Sequence, residues 1–292
     1  MKILVIHSWG LGDLIMSTPM LKSLSKSGHS VDLVLFSKAN SIILKENNFL
    51  ENVFYISSKL DFLKFFKKYD CLVATAGTNP KKIKFLVKML GIKKVFASFQ
   101  EKDIHRIDMN LKIVKPILKE IDKEPYVYIP NIDVSKYLKK DKNIGFAIGS
   151  GAKQKFKRWD KFKELIRKTK GNKLIFIGPD EKDLEEEFKE FNIVKESLEN
   201  VIALISKLDL LVGNDNGLMH IGYATKTNTV TIFGMTNEKE TGGYRENNKS
   251  VFLEMECRPC FNPANDEIGC KEISCLKNLE VERVWKSCQE FL

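Results

Sequence analysis

Two aspartates stand where a carboxylate can do chemistry. Asp13 closes the run Gly10-Leu11-Gly12-Asp13, directly after the apolar stretch KILVIH at residues 2–7 and at the start of a helical pattern. Glycines at 10 and 12 let the backbone approach a ligand closely. A carboxylate at that point is either a helix-start charge or a general base placed at the end of a strand. Asp215 lies in Val212-Gly213-Asn214-Asp215-Asn216-Gly217-Leu218-Met219-His220, a strand, a sharp polar turn and a helix. Gly217 and the amides after it form a helix N-terminus suited to a diphosphate, with Asp215 beside it to accept hydrogen bonds from sugar hydroxyls. His220, one turn on, is a third candidate for the same ligand; taken alone it reads as a core histidine.

Other groups could serve such a site. The basic run Lys153-Gln154-Lys155-Phe156-Lys157-Arg158, just before Trp159, would neutralise phosphate on a leaving group, or else forms a solvated charged face. Glu181, in Ile177-Gly178-Pro179-Asp180-Glu181, suits contacts to a ribose or base, or a plain helix start. Thr18-Pro19 inside the first helix predicts a kink or restart, and with it a shaped site. A nicotinamide fingerprint is disfavoured: its third glycine position is Ile15, and Asp32 falls early in the second strand.

Four of the six cysteines form Cys257-x2-Cys260-x9-Cys270-x4-Cys275. That spacing leaves a structural zinc or iron site, reduced thiols and a disulfide as alternatives. Cys71 and Cys288 read as core residues, and Arg258 and Phe261 as packing around the cluster.

The elements that position these groups alternate. Strands are expected at 2–7, 31–36, 53–56, 70–75 and 94–97, with helical stretches at 14–26, 38–47, 60–68, 80–90 and 108–121. A polar stretch at 131–143 breaks the pattern. A second series follows, with strands at 144–148, 173–177, 192–194, 209–213 and 229–233 and helices at 159–169, 181–190, 198–207 and 217–225. The predicted fold is α/β, two Rossmann-like domains at 1–135 and 144–292 facing each other across a ligand cleft. A last helix at 279–291 is a candidate to pack back on the first domain.

The chain has 292 residues, 43% apolar and 29% charged, which excludes disordered and collagen-like classes. No apolar run approaches the ~20 residues of a membrane span, and no signal-peptide core follows Met1. A cytoplasmic protein, at most peripheral on the inner membrane, is expected. Residues 1–143 hold 25 basic and 14 acidic side chains; residues 144–292 hold 23 and 24. The whole excess of +10 therefore belongs to the first half, which would draw an anionic partner.

Taken in order, Gly12-Asp13-x4-Thr18-Pro19, Lys157-Arg158-Trp159, Asp215-x-Gly217-x2-His220 and Thr231-Ile232-Phe233-Gly234-Met235-Thr236 resemble the lipopolysaccharide heptosyltransferases, glycosyltransferase family nine with the GT-B fold. The resemblance implies inverting transfer of heptose from ADP-heptose to a lipopolysaccharide core or related anionic glycan. It implies no cofactor for catalysis. Asp13 matches the general base and Lys157 the lysine at the donor phosphate or sugar. Glu181 matches the acid at the nucleoside, Asp215 holds the sugar, and Gly217, Leu218 and His220 line the diphosphate pocket. Gly12 and Thr18 go with the same donor site. The family commonly has a basic residue where this chain has His7-Ser8-Trp9. A relative that modifies proteins holds iron on a cysteine finger, which keeps iron and a protein acceptor in view here. The alternatives are an epimerase-like nucleotide-sugar enzyme and a basic nucleic-acid-binding protein; the latter lacks interleaved aromatics and any recognised motif, so no nucleic-acid partner is expected.

Overall fold

Five successive buried residues after Lys2 make Lys2–His7 a strand covered on both faces. Such a strand needs parallel neighbours and helices on either side. A computed structural model supplies them; it describes every residue except 79, 98–100, 152 and 263–266, with the side chains of 59 and 80–82 also outside the description. The chain divides into two units, Met1–Tyr128 and Ile129–Leu292.

The first unit runs β1 (Lys2–His7), α1 (Leu11–Lys26), β2 (Ser30–Leu35), β3 (Asn52–Tyr55), β4 (Cys71–Ala74), α2 (Pro80–Leu90), β5 (Lys94–Phe96) and α3 (Arg106–Val114). All strand pairs are parallel, in the order β3-β2-β1-β4-β5. The order reverses between β1 and β4. A ligand crevice in a doubly wound sheet opens at the carboxyl ends of such a strand pair. The expected helices at 38–47 and 60–68 are 3₁₀ turns, Ala39–Leu44 and Lys59–Phe65.

Helix α1 carries an unbroken buried run, Leu14–Leu21, because it is covered on all sides. The expected break at Thr18-Pro19 does not occur. Pro19 cannot donate to the carbonyl four residues back, and the Thr18 hydroxyl donates to Ile15 O at 2.7 Å instead. The same oxygen accepts from the Tyr126 amide at 2.8 Å. Ser23 and Ser27 accept in the same way from Asp122 N and Lys119 N, at 2.9 and 2.8 Å. A row of helix hydroxyls thus binds the extended chain around 119–126 against α1.

The second unit runs β6 (Asn143–Ala147), α4 (Phe162–Lys168), β7 (Asn172–Phe176), β8 (Ile193–Val194), α5 (Leu198–Ile205), β9 (Leu210–Asn214), α6 (Gly217–Thr225), β10 (Thr229–Ile232), α7 (Glu238–Thr241), β11 (Asn248–Val251), β12 (Phe261–Asn262), β13 (Glu267–Ile268), α8 (Ser274–Lys277) and α9 (Val281–Gln289). Its six-stranded parallel sheet has the order β11-β10-β9-β6-β7-β8, with the reversal between β6 and β9. Sequence patterning missed β11 and the β12–β13 hairpin, and the helix expected at 181–190 opens as a 3₁₀ turn, Pro179–Leu184. The last helix uses its apolar stripe within its own unit: Val281, Val284 and Cys288 are buried in the second core, and the Trp159 indole donates to Leu279 O at 3.1 Å. That stripe was a candidate cover for the first unit; it is filled here by α4 and the β10–β11 edge.

Candidate active site

Each unit brings its candidate residues to its own reversal point. In the first, β1 leads through Ser8-Trp9-Gly10 into α1. Gly10 takes the N-cap position with no side-chain cap, so Asp13 in the first turn answers the positive end of the helix. Asp13 is partly exposed. Its Oδ1 lies 3.6 Å from Arg106 Nε, at the start of α3, where the guanidinium is only 11% exposed. Sequence reasoning missed Arg106, which is 93 residues from Asp13 in the chain. It supplies a cation beside a loop whose own residues, His7-Ser8-Trp9, provide none.

His7 is buried at the end of β1. Its Nδ1 lies 3.3 Å from the Thr75 hydroxyl and its Nε2 3.5 Å from Gly10 O. Burial pushes its pKa below 6.5, against the raising effect of the Asp13 charge. Across the reversal, Gly77 has φ +84, and a Cβ there would meet the Trp9 ring at 3.2 Å and the Arg106 guanidinium at 3.4 Å. Glycine lets these two side chains lie against the backbone. The Trp9 Nε1–H is buried with no hydrogen-bond partner among the described residues. Gly12 lies in the first turn of α1, partly exposed. Thr18 is fully buried with its hydroxyl held by Ile15 and Tyr126. There it holds the helix that carries Asp13.

In the second unit, the loop after β6 and the turn after β9 are stitched together. Asn214 donates to Ile148 O at 2.7 Å and Gly149 O at 3.3 Å, and its Oδ1 accepts from Trp159 N at 3.0 Å. Asn216 donates to Ala147 O and Gly149 O and caps α6 by accepting from Leu218 N at 3.0 Å and Met219 N at 3.4 Å. The Leu218 amide expected at the diphosphate is thus already engaged by the cap. Gly217 and the dipole of α6 keep a positive end at this point.

Inside that frame, Lys157 Nζ lies 3.4 Å from Asp215 Oδ2, each side chain only about a tenth exposed. Lys157 also sits over the Phe261 ring at 4.9 Å. The rest of the basic run turns elsewhere. Lys155 and Arg158 both bind Asp183, at 3.0 and 2.6 Å, and this holds the Asp183 carboxyl down at about 2. Lys157 alone of these three is aimed at the turn. Glu181 lies against the Gly149 backbone, where any side chain at 149 would overlap its carboxyl group. It accepts from Gly178 N at 2.9 Å, and burial raises its pKa. His220 is buried with an edge-on contact to Tyr223, ring centroids 5.3 Å apart.

Arg258 extends the frame in a way the sequence did not reveal. Its guanidinium binds Gly234 O, Leu253 O at 3.1 Å, Thr236 O at 3.0 Å and Glu238 at 3.1 Å. Cys260 N and Phe261 N both donate to Met235 O. The cysteine-bearing segment is therefore the clamp for the loop after β10. In that loop the Thr236 hydroxyl is buried with no hydrogen-bond partner among the described residues.

The expected structural metal finds no support at the cysteine cluster. Among the described residues no group of three or more His, Cys, Asp or Glu side chains could hold one. Cys257 is exposed, Cys260 and Cys270 are half-buried and Cys275 belongs to the core, all as thiols. Burial pushes the Cys260 and Cys275 thiols up. The structural zinc or iron is left without support.

Two parallel sheets in series, each presenting polar residues at its reversal point, make up the architecture of the GT-B transferases. The sequence profile of glycosyltransferase family 9 (heptosyltransferase) matches residues 88–270, more than half of the chain. A lipooligosaccharide heptosyltransferase 2 of Campylobacter jejuni is 25% identical, over 97% of this chain and 97% of its own. A family 9 glycosyltransferase from Veillonella parvula superposes with a TM-score of 0.75 at 18% identity, covering 99% of this chain and 96% of its own. The ADP-heptose lipopolysaccharide heptosyltransferase II of Escherichia coli gives 0.71 at 16% identity, over 100% and 98%. The chain belongs to glycosyltransferase family 9, the heptosyltransferases.

Proposed function

We propose that this enzyme transfers heptose from ADP-heptose, with inversion, to the core of a lipid-anchored lipopolysaccharide or lipooligosaccharide, and that it needs no cofactor. The observation that carries the donor half is the Lys157–Asp215 pair at the start of α6. A nearly buried ion pair beside a helix N-terminus is suited to exchange: an incoming diphosphate takes Lys157 and the helix end, and frees Asp215 for sugar hydroxyls. Glu181 is assigned to the nucleoside, Gly217 and His220 to the diphosphate pocket, and the buried Thr236 hydroxyl to the same ligand.

Asp13 is the base. It removes the proton from an acceptor hydroxyl as that oxygen attacks the anomeric carbon on the face opposite the diphosphate. The bond from the anomeric carbon to the diphosphate oxygen breaks, and ADP leaves with its charge met by Lys157 and the α6 dipole. Enzyme, donor and acceptor account for every proton and electron pair. The relatives named for ADP-heptose, lipopolysaccharide and lipooligosaccharide support this choice of substrates. At saturating ADP-heptose the melting temperature should rise by about 5 °C in the wild type and by far less in Asp215→Ala. An equal rise in both would remove Asp215 from the donor site.

A further inference from the structure

Residues 59–94 contain ten lysines and two aspartates. They form most of the outer layer on one face of the first sheet, where the 3₁₀ turn Lys59–Phe65 packs beside α2. A 3₁₀ turn places every third residue on one line. Phe62 and Phe65 are accordingly buried in the first core, while Leu60, Leu63 and Phe66 make an outward row at 74%, 55% and 48% exposure. On α2, Ile83, Leu86 and Leu90 face the same core and Phe85 stands outward at 56%. Phe36, half exposed, extends the row through its contact with the Phe62 ring, centroids 6.2 Å apart.

The described lysines around this ridge have no acidic partners among the described residues. Lys64, Lys67, Lys68, Lys84, Lys88, Lys93 and Lys94 are all exposed, and none has an ion pair among the described residues. Elsewhere about half of the lysines have an ion pair, as with Lys112–Glu101, Lys168–Glu282 and Lys195–Glu185. Both aspartates of the segment are occupied locally: Asp61 accepts from Ser57 N and Ser58 N, and Asp70 from Lys2 N. Exposed aromatic and leucine side chains, ringed by lysines that have no ion pair among the described residues and of which Lys64, Lys67 and Lys94 lie over aromatic rings, match the interfacial zone of an anionic bilayer.

We infer that this ridge docks the first unit on the anionic phospholipid surface of a membrane. The inference builds on the proposed lipid-anchored acceptor, which would lie at such a surface. Its contacts are separate from those of the transfer chemistry, since no ridge residue belongs to the candidate site.

Co-flotation with vesicles tests it. Wild-type protein should float with vesicles of phosphatidylethanolamine and 30% phosphatidylglycerol, and remain behind with phosphatidylcholine alone. The triple variant Lys64→Glu, Lys67→Glu, Lys88→Glu should lower partitioning by at least about 100-fold, at ~1 kcal/mol for each lysine lost near the surface. Leu63→Ser with Phe85→Ser should lower it with the charges intact. Both variants should keep wild-type turnover on a water-soluble, delipidated acceptor. Wild-type flotation independent of phosphatidylglycerol, or unchanged flotation of the variants, would overturn the docking surface. Loss of turnover on the soluble acceptor with the donor-induced thermal shift intact would assign the ridge to acceptor binding instead, and a wild type that sedimented as a dimer while the variants sedimented as monomers would assign it to a second copy. Vesicle binding by a wild type that transfers no heptose would count against the substrate reading and leave the docking surface standing.

Discussion

The turns after β1 and after β9 do comparable work with very different support. Both follow a buried parallel strand at a reversal of strand order, and both offer an aspartate near a helix start. The β9–α6 turn is fixed from every side. Asn214 and Asn216 tie it to the β6 loop, Asn216 caps the helix, and Arg258 clamps the neighbouring loop. The β1–α1 turn has an uncapped helix, an exposed Gly10 with open space where a Cβ would go, and an aspartate held by one distant arginine. A rigid frame suits a donor that presents the same nucleotide and diphosphate every time. A looser turn suits an acceptor that must enter, lose a proton and leave enlarged by a sugar.

If rigidity is concentrated on the second turn, substitutions there should be costly. Asn214→Leu leaves the Ile148 carbonyl and the Trp159 amide without the side chain that satisfies them in the core and should lower stability by about 3 kcal/mol in urea unfolding. A loss under about 1 kcal/mol would mean the stitching is incidental. Next in size, Lys157→Ala and Asp215→Ala should be coupled in a double-mutant cycle on donor affinity by about 1–2 kcal/mol, and strict additivity would show that the pair does not act as one unit. Asn216→Ala removes a cap and should cost about 1 kcal/mol, whereas Gly10→Ala at the first turn should stay within about 0.5 kcal/mol. Equal costs would erase the contrast.

The smallest effect concerns His7. Its folded pKa lies below 6.5, so the folded protein refuses a proton that the unfolded chain accepts. Stability is full above that value and declines as pH falls through it, by under about 1 kcal/mol between pH 7 and 6. His7→Gln should flatten the fall in melting temperature over that interval.

Ten of the parallel strands, the two sheets and both aspartate-bearing turns were legible because buried parallel strands write continuous apolar runs, and Asn-Gly and Gly-x-Gly punctuate their ends; β11, buried only at Val251, wrote no such run. Short helical turns were not. At 38–47, 60–68 and 181–190 two turns of apolar spacing cannot separate a period of 3.0 from 3.6. Pro19 misled for a specific reason: the adjacent Thr18 hydroxyl replaces the missing donor, a repair visible only in three dimensions. Arg106 had no signal at all, and Arg258 read only as packing around the cysteines. Arg106 acts on a residue 93 positions away and Arg258 mainly on residues 20 to 24 positions away, and nothing in one dimension marks an arginine as inward-facing.

The division between a fixed donor turn and a reacting acceptor turn is tested most directly by Asp13→Asn, assayed for donor binding and for heptose transfer to a heptose-deficient lipopolysaccharide. The wild-type affinity for ADP-heptose should be kept while turnover falls by about 1,000-fold, the scale of a lost general base. Undiminished turnover would contradict the assignment of Asp13 as the base, and a parallel loss of donor affinity would contradict the separation of the two roles.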